Sequence, residues 1–400
     1  MLETLIAALC LAAAPVDSWP AFRGTGESVS SAEALPVSWS ESEGLRWRAG
    51  ITGYGQSSPV IWQDRVFVTS ADGARKERVV LSCFDLDSGN VVWEESLEAA
   101  QTAEVTGYVS CAAPTPAVDS NAVFAFFETG NLAAWSHAGE LLWSRNLVED
   151  YGPFTGNHGV GNSIALTDKA VIVLVDHSGP SYLLAADKKT GKTLWKTDRP
   201  ASVAWSSPIA TDDGHIIVSA NGRCEAFDAA TGKTLWKVAG IEGNTVPSAT
   251  VSGDLVIVGS KDIGSNLAIR VSAGPQSPQA DIAWRSSDAT ATFSSPLVYR
   301  GHVYLVNRTG VAFCLDEESG RTLWKQRIAG SCWASPVGAC GRIYFFEKSG
   351  TTTVMKAGST STVLSENVLP TEDRVYGVAA VEGCFVIRLG RELICIDGTD

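Results

Sequence analysis

The sequence predicts an all-β fold of four-stranded antiparallel blades closed into a ring of eight, and three observations carry that prediction. A nine-residue unit recurs as Asp85–Trp93, Asp187–Trp195, Asp228–Trp236 and Asp316–Trp324, opening on Asp, turning at Gly89, Gly191, Gly232 or Gly320, and ending on Trp. An Asp carboxylate that accepts turn amides, followed by a Gly free to take positive φ, is the chemistry of a tight hairpin. The terminal indoles, Trp47, Trp93, Trp143, Trp195, Trp236, Trp284 and Trp324, lie 46, 50, 52, 41, 48 and 40 residues apart, a period that marks a repeat architecture. Turn signals come about every 8–12 residues between short alternating apolar runs, with no convincing helical period.

In chain order, residues 1–14 read as a signal peptide. Leu5–Ala14 forms an apolar core, and Ala12 and Ala14 offer a small-x-small cleavage pattern, although Glu3 stands where a basic residue is usual. Residues 15–44 read as an irregular arm, with the aromatics Trp19 and Phe22 expected to pin it to the body. Residues 45–397 form a single domain. Leu45–Arg48 is a lone strand of the Trp-bearing kind. Each repeat then opens with small residues and often Pro, as at Ser57-Ser58-Pro59, Ala112-Ala113-Pro114, Ser206-Ser207-Pro208, Ser294-Ser295-Pro296 and Ala334-Ser335-Pro336. These first strands are expected to crowd around a central channel, where small side chains fit. An alternating strand follows, then the strand that ends at the Asp, then the Trp strand.

Four strands per repeat of this length describe a β-propeller blade. The indoles are expected to wedge between blades, each covering about 150–250 Å², an upper bound of about 4–6 kcal/mol apiece. One further period beyond Trp324 falls on Leu364, an eighth copy whose Trp is replaced. The last repeat ends at Asp397 without room for a Trp strand, so the strand around Trp47 is expected to complete it and join the chain ends.

The repeated segments resemble the pyrroloquinoline quinone (PQQ)-like repeat family, whose blades carry a tryptophan docking motif. It stands nearly intact at Ala186–Trp195 and Phe227–Trp236, and Trp19-Pro20-x-Phe22-Arg23-Gly24 looks like the opening of secreted members. The resemblance implies one of two activities. Quinoprotein dehydrogenases hold PQQ and calcium over the channel mouth. The other branch resembles the propeller lipoprotein of the outer-membrane β-barrel assembly machinery, which has no cofactor and binds partners through its loops. The docking motif is structural in both.

The residues favour the second branch. The late blades are 40 residues long with short turns, no Cys-Cys pair occurs, and Asp85, Asp187, Asp228, Asp316 and Asp397 are repeat-turn residues. Residues just before the inner strands should ring the mouth. The candidates are His158, Trp205, Glu242, Asn244, Phe293, Trp333 and Tyr376, with Gln56, Tyr108, Asn157 and Arg374 beside them. Trp205, Phe293 and Trp333 share one repeat position, three before the Pro. They read as a partly aromatic funnel suited to a flat ring or a peptide, or as side chains that simply pack the channel. Glu242 and Asn244 could offer calcium two oxygens where six or more are wanted. No catalytic residue and no metal site is assigned, and PQQ and calcium remain the minority cofactor reading. No zinc, nucleophile-elbow or phosphate-loop pattern occurs. Cys83, Cys314 and Cys395 hold one repeat position and read as buried small residues. One disulfide among Cys332, Cys340 and Cys384 stays open.

A net charge of −13 argues against nucleic acid, and no apolar run reaches the ~18 residues of a bilayer span. The expectation is an exported, monomeric, non-catalytic scaffold in the periplasm or outside the cell, binding a protein or extracellular ligand. The alternatives are a PQQ- and calcium-dependent dehydrogenase of alcohols or sugars, and a carbohydrate-binding or carbohydrate-processing propeller.

Overall fold

In the computed structural model, which describes residues 18–103, 110–156, 158–272 and 278–398, the chain forms eight antiparallel sheets. We number them as blades 1 to 8, from the sheet that opens at Val60–Trp62 to the sheet that opens at Gly377–Val381. Blade 8 takes its outer strand, Leu45–Gly50, from the N-terminal side, with Trp47 opposite Cys395. The ring is therefore an eight-bladed propeller closed by the strand expected to close it. Among the described residues the only helix is the single turn Leu147–Tyr151, capped by the Asn146 side chain, and no helix is long and apolar enough to cross a membrane.

The indoles work as seam closures. The Nε1 groups of Trp47, Trp93, Trp143, Trp195, Trp284 and Trp324 donate to carbonyls of Leu86, His137, Lys188, Ala229, Glu317 and Gly358, each in the hairpin of the next blade. The turn glycine is required there. A Cβ on Gly232, at φ +70°, would sit 2.4 Å from the Trp195 ring. Trp236 is buried as well, but its N–H finds no acceptor.

The Ser-rich openings of the inner strands have a second cause beyond small size. The Ser58 amide donates to Thr115 Oγ1 (3.0 Å), Thr115 to Ser163 (3.0 Å), Ser163 to Ser207 (2.8 Å), Ser207 to Ser248 (2.7 Å), Ser248 to Ser295 (3.0 Å) and Ser295 to Ser335 (3.0 Å). Each hydroxyl satisfies an inner-strand amide of the preceding blade, in a place where an unpaired N–H would be costly. This girdle stops at blade 8, where Gly377 lies so near Ser58 that any side chain would collide.

The arm is more ordered than the sequence suggested. Ser18–Trp19 pairs with the inner strand of blade 1. Arg23 reaches across the channel end to Ala249 O (2.9 Å), Thr250 Oγ1 (2.6 Å) and Pro296 O (2.7 Å) on blades 5 and 6. Ser28 and Ser30 exchange backbone hydrogen bonds with Gly338 of blade 7. The chain then enters the seam between blades 7 and 8, the one that Leu364 leaves without an indole. There Trp39 is 5% exposed, packs on Phe385 at 5.9 Å, and donates its amide to Asn367 Oδ1. Leu364 itself is exposed, and Trp39 supplies the missing wedge.

Among the described residues no disulfide joins any two of Cys332, Cys340 and Cys384.

Candidate binding site at the channel mouth

The two ends of the channel are built from different residues. The inner strands finish at the arm end, where residues 18–30 cross and cavities of about 540 and 310 Å³ flank Thr25 and Gly26. They begin at the other end, the mouth, where most sequence-predicted candidates are found.

Four aromatic rings run along one arc of the mouth. Phe293 and Trp333 have ring centroids 5.6 Å apart, Trp333 and Tyr376 5.6 Å in an edge-on contact, and Tyr376 and Tyr54 6.2 Å, also edge-on. The Tyr54 and Tyr376 hydroxyls are hydrogen-bonded to one another, and the Tyr54 hydroxyl also donates to Asp373. Burial, then the Tyr376 hydroxyl, pushes the Tyr54 phenol well above its ordinary range, so it stays a protonated donor. Phe293 is exposed, Trp333 half-buried and Tyr376 buried. Their repeat position makes the arc: each stands just ahead of an inner strand, so successive blades bring them side by side.

Cations overlie these rings. The Arg374 guanidinium lies 4.9 Å from the Trp333 centroid and that of Arg391 5.8 Å from Tyr54. Arg308 and Lys348 project from the neighbouring loops of blades 6 and 7. All four are exposed, and none lies within ion-pair distance of a described carboxylate. Below them Arg388 is fully buried and donates to the carbonyls of Gly55, Thr69 and Gly390, tying blade 8 to blade 1. Burial lowers its pKa to about 9, which leaves it charged at neutral pH. Glu347, beneath the blade 7 loop, accepts from Thr353 while its other oxygen has no partner, and burial raises it to about 7.

The remaining candidates lie elsewhere. His158 and Trp205 form a separate pair on blades 3 and 4, with centroids 5.9 Å apart, and Trp205 Nε1 donates to Gly159 O. Glu242 is exposed on blade 5. Asn244 is not available to a ligand: its carbonyl oxygen accepts from Gly222 N, and its amide donates to Ser219 Oγ and Arg223 O. Tyr108 and Asn157 lie outside the described residues. Sequence reasoning passed over Tyr54, Asp373, Arg308, Lys348 and Arg391, which sit on irregular loops. Only the placement of Tyr54 two residues before Gln56 hinted at its position.

A family model described as outer membrane protein assembly factor BamB matches residues 13–153 and 138–359. The chain belongs to this family. BamB-family proteins of Yersinia pestis and Moranella endobia are 26% identical over 269 residues and 28% over 191 residues, covering 64% and 46% of this chain. The matches span 66% and 44% of those relatives' own lengths. Among solved structures, BamB from Moraxella catarrhalis superposes with a TM-score of 0.64 at 14% identity, over 88% of this chain and 97% of that one. The quinohemoprotein alcohol dehydrogenase of Comamonas testosteroni gives 0.66 at 12% identity, over 96% of this chain and 81% of that one, a likeness of fold alone.

That likeness raises the fit of PQQ and calcium to this BamB-family mouth, and the residues do not fit. Asn244 is fully buried and its Oδ1 already accepts from Gly222 N of blade 4, which leaves Glu242 without its proposed oxygen co-ligand. Among the described residues no three His, Cys, Asp or Glu side chains converge as a metal site.

Proposed function

We propose that this chain is a non-catalytic, exported scaffold of the cell envelope that holds a protein partner at its channel mouth during outer-membrane protein assembly. The observation that carries the reading is the aromatic arc of Phe293, Trp333, Tyr376 and Tyr54, half open to solvent and topped by unpaired cations. Such rigid aromatic and Arg groups are the usual anchors of protein interfaces. The family match supports the assembly role, and the apolar segment ahead of Pro15 supports export.

The test is site-specific photo-crosslinking from position 293 in the native host. The reading expects one dominant adduct with a component of the outer-membrane assembly complex, lost when Trp333 is changed to Ala. Adducts confined to probes at the arm end, around Asp212, would contradict it. The dehydrogenase reading is tested by titrating PQQ and Ca²⁺. Saturable binding with dye-linked alcohol oxidation would restore it.

A further inference from the structure

The partner's chemistry can be narrowed from the charges on the arc, an inference that rests on the mouth being a protein-binding site. The whole chain carries a net charge of −13, yet Arg308, Lys348, Arg374 and Arg391 are exposed on the loops of three adjacent blades and lack carboxylate partners among the described residues. Elsewhere some basic side chains are paired, as where Arg199 bridges Asp176 and Glu225 and Arg270 lies between Asp254 and Glu318, and others such as Lys189, Arg285 and Arg321 are exposed singly. What sets the arc apart is that its cations cluster around aromatic rings. Three carboxylates border the arc, and Asp72, within electrostatic reach of Arg391, is paired with Arg78. Asp373 is already engaged, accepting from the Tyr54 hydroxyl and from the Arg374 amide. Glu372 is exposed.

Unpaired cations at the rim of an apolar surface steer and select partners of opposite charge, with a modest effect on raw affinity. Here two of them lie over aromatic rings, so the cationic and aromatic surfaces coincide. We propose that the arc formed by Phe293, Trp333, Tyr376 and Tyr54, with Arg308, Lys348, Arg374 and Arg391, recognises an acidic protein segment that carries aromatic side chains. Its carboxylates would meet the guanidinium and ammonium groups while its rings pack at Phe293 and Trp333. A nucleic acid offers similar chemistry, but a long polyanion would meet the field of a strongly negative protein beyond the arc. A short acidic segment stays within it.

The experiment is fluorescence anisotropy of the full chain with labelled twelve-residue peptides. One alternates Glu with Phe and Tyr, a second replaces Glu by Lys, and a third replaces the aromatics by Ser. A (dT)12 oligonucleotide completes the set. The expected result is binding of the acidic aromatic peptide at least tenfold tighter than the other three, weakening as salt rises from 50 to 300 mM. The double variant Arg374→Glu, Lys348→Glu should lose at least tenfold while its thermal unfolding stays unchanged. Asp212→Asn with Asp254→Asn, at the arm end, should leave binding as it was. Equal or tighter binding of the lysine peptide or of (dT)12 would overturn the proposal. So would indifference to the double charge reversal, or no binding of any peptide. Crosslinks from position 293 to an assembly component that persist in the charge-reversed protein would remove this inference and leave the scaffold reading standing. Loss of those crosslinks in the wild type would remove both.

Discussion

The arm end and the mouth of the channel are lined by the same eight inner strands, yet they use their side chains in opposite ways. At the arm end, Arg23 spends both terminal nitrogens on backbone and hydroxyl acceptors of blades 5 and 6, and Trp39 disappears into a seam. At the mouth, Arg374 and Arg391 lie on aromatic faces without carboxylate partners, and Phe293 is left exposed. Groups satisfied internally hold the ring together. Charges without a carboxylate partner at the surface are available to something else, even where, as at Arg391, one N–H donates to a loop carbonyl, Gly53 O at 3.1 Å. Changes at the arm end should therefore cost stability, and changes on the arc should cost binding.

The largest effect should come from the seam indoles. Trp39→Ala and Trp47→Ala each empty a buried wedge and should lower unfolding free energy by about 3–5 kcal/mol in urea titrations. A loss below about 1 kcal/mol for Trp39 would mean that Leu364 closes its own seam. Next comes Glu347. Its carboxyl is raised from an ordinary value near 4.5 to about 7, mainly by burial, so the folded state binds the proton more tightly than the unfolded chain. Its contribution is complete below about pH 4.5 and is lost as pH rises through 7, on the order of 3 kcal/mol. Glu347→Gln should flatten the pH dependence of stability in that window and be the more stable protein at pH 8. Arg23→Ala should cost about 2 kcal/mol through the orphaned acceptors, with mouth binding retained. Trp333→Ala should be the mildest for stability, about 1 kcal/mol, while abolishing partner binding. If it unfolded the protein as Trp39→Ala does, the two ends would not differ in kind.

Much of the ring was legible because periodicity is a local signal repeated seven times. The Asp-x-x-Thr-Gly turns, the spacing of the indoles and the incomplete last repeat together implied that Trp47 closes the circle. Trp39 was not legible, because its partner Asn367 is 328 residues away and no repeat contains it. The Ser-rich strand openings were read as a matter of size, and the hydroxyl–amide girdle emerged only when adjacent blades were in place. At the mouth, Phe293 and Trp333 came from a shared repeat position and Tyr376 from its place just ahead of the last inner strand. Tyr54, Arg308, Lys348 and Arg391 came from loops, where the repeat imposes nothing. Asn244 was assigned to the mouth by position, but Gly222, Ser219 and Arg223 of blade 4 hold it in the interior.

Amide hydrogen exchange of the full chain, with and without the acidic aromatic peptide, tests the division between the two ends most directly. Protection should grow in residues 290–293, 331–333 and 373–376, while the amides of Gly24, Ser30 and Trp39 exchange slowly and equally in both states. Protection gained at residues 20–30 or 209–215 instead, with the mouth loops unchanged, would place the partner at the wrong end of the channel and contradict the account.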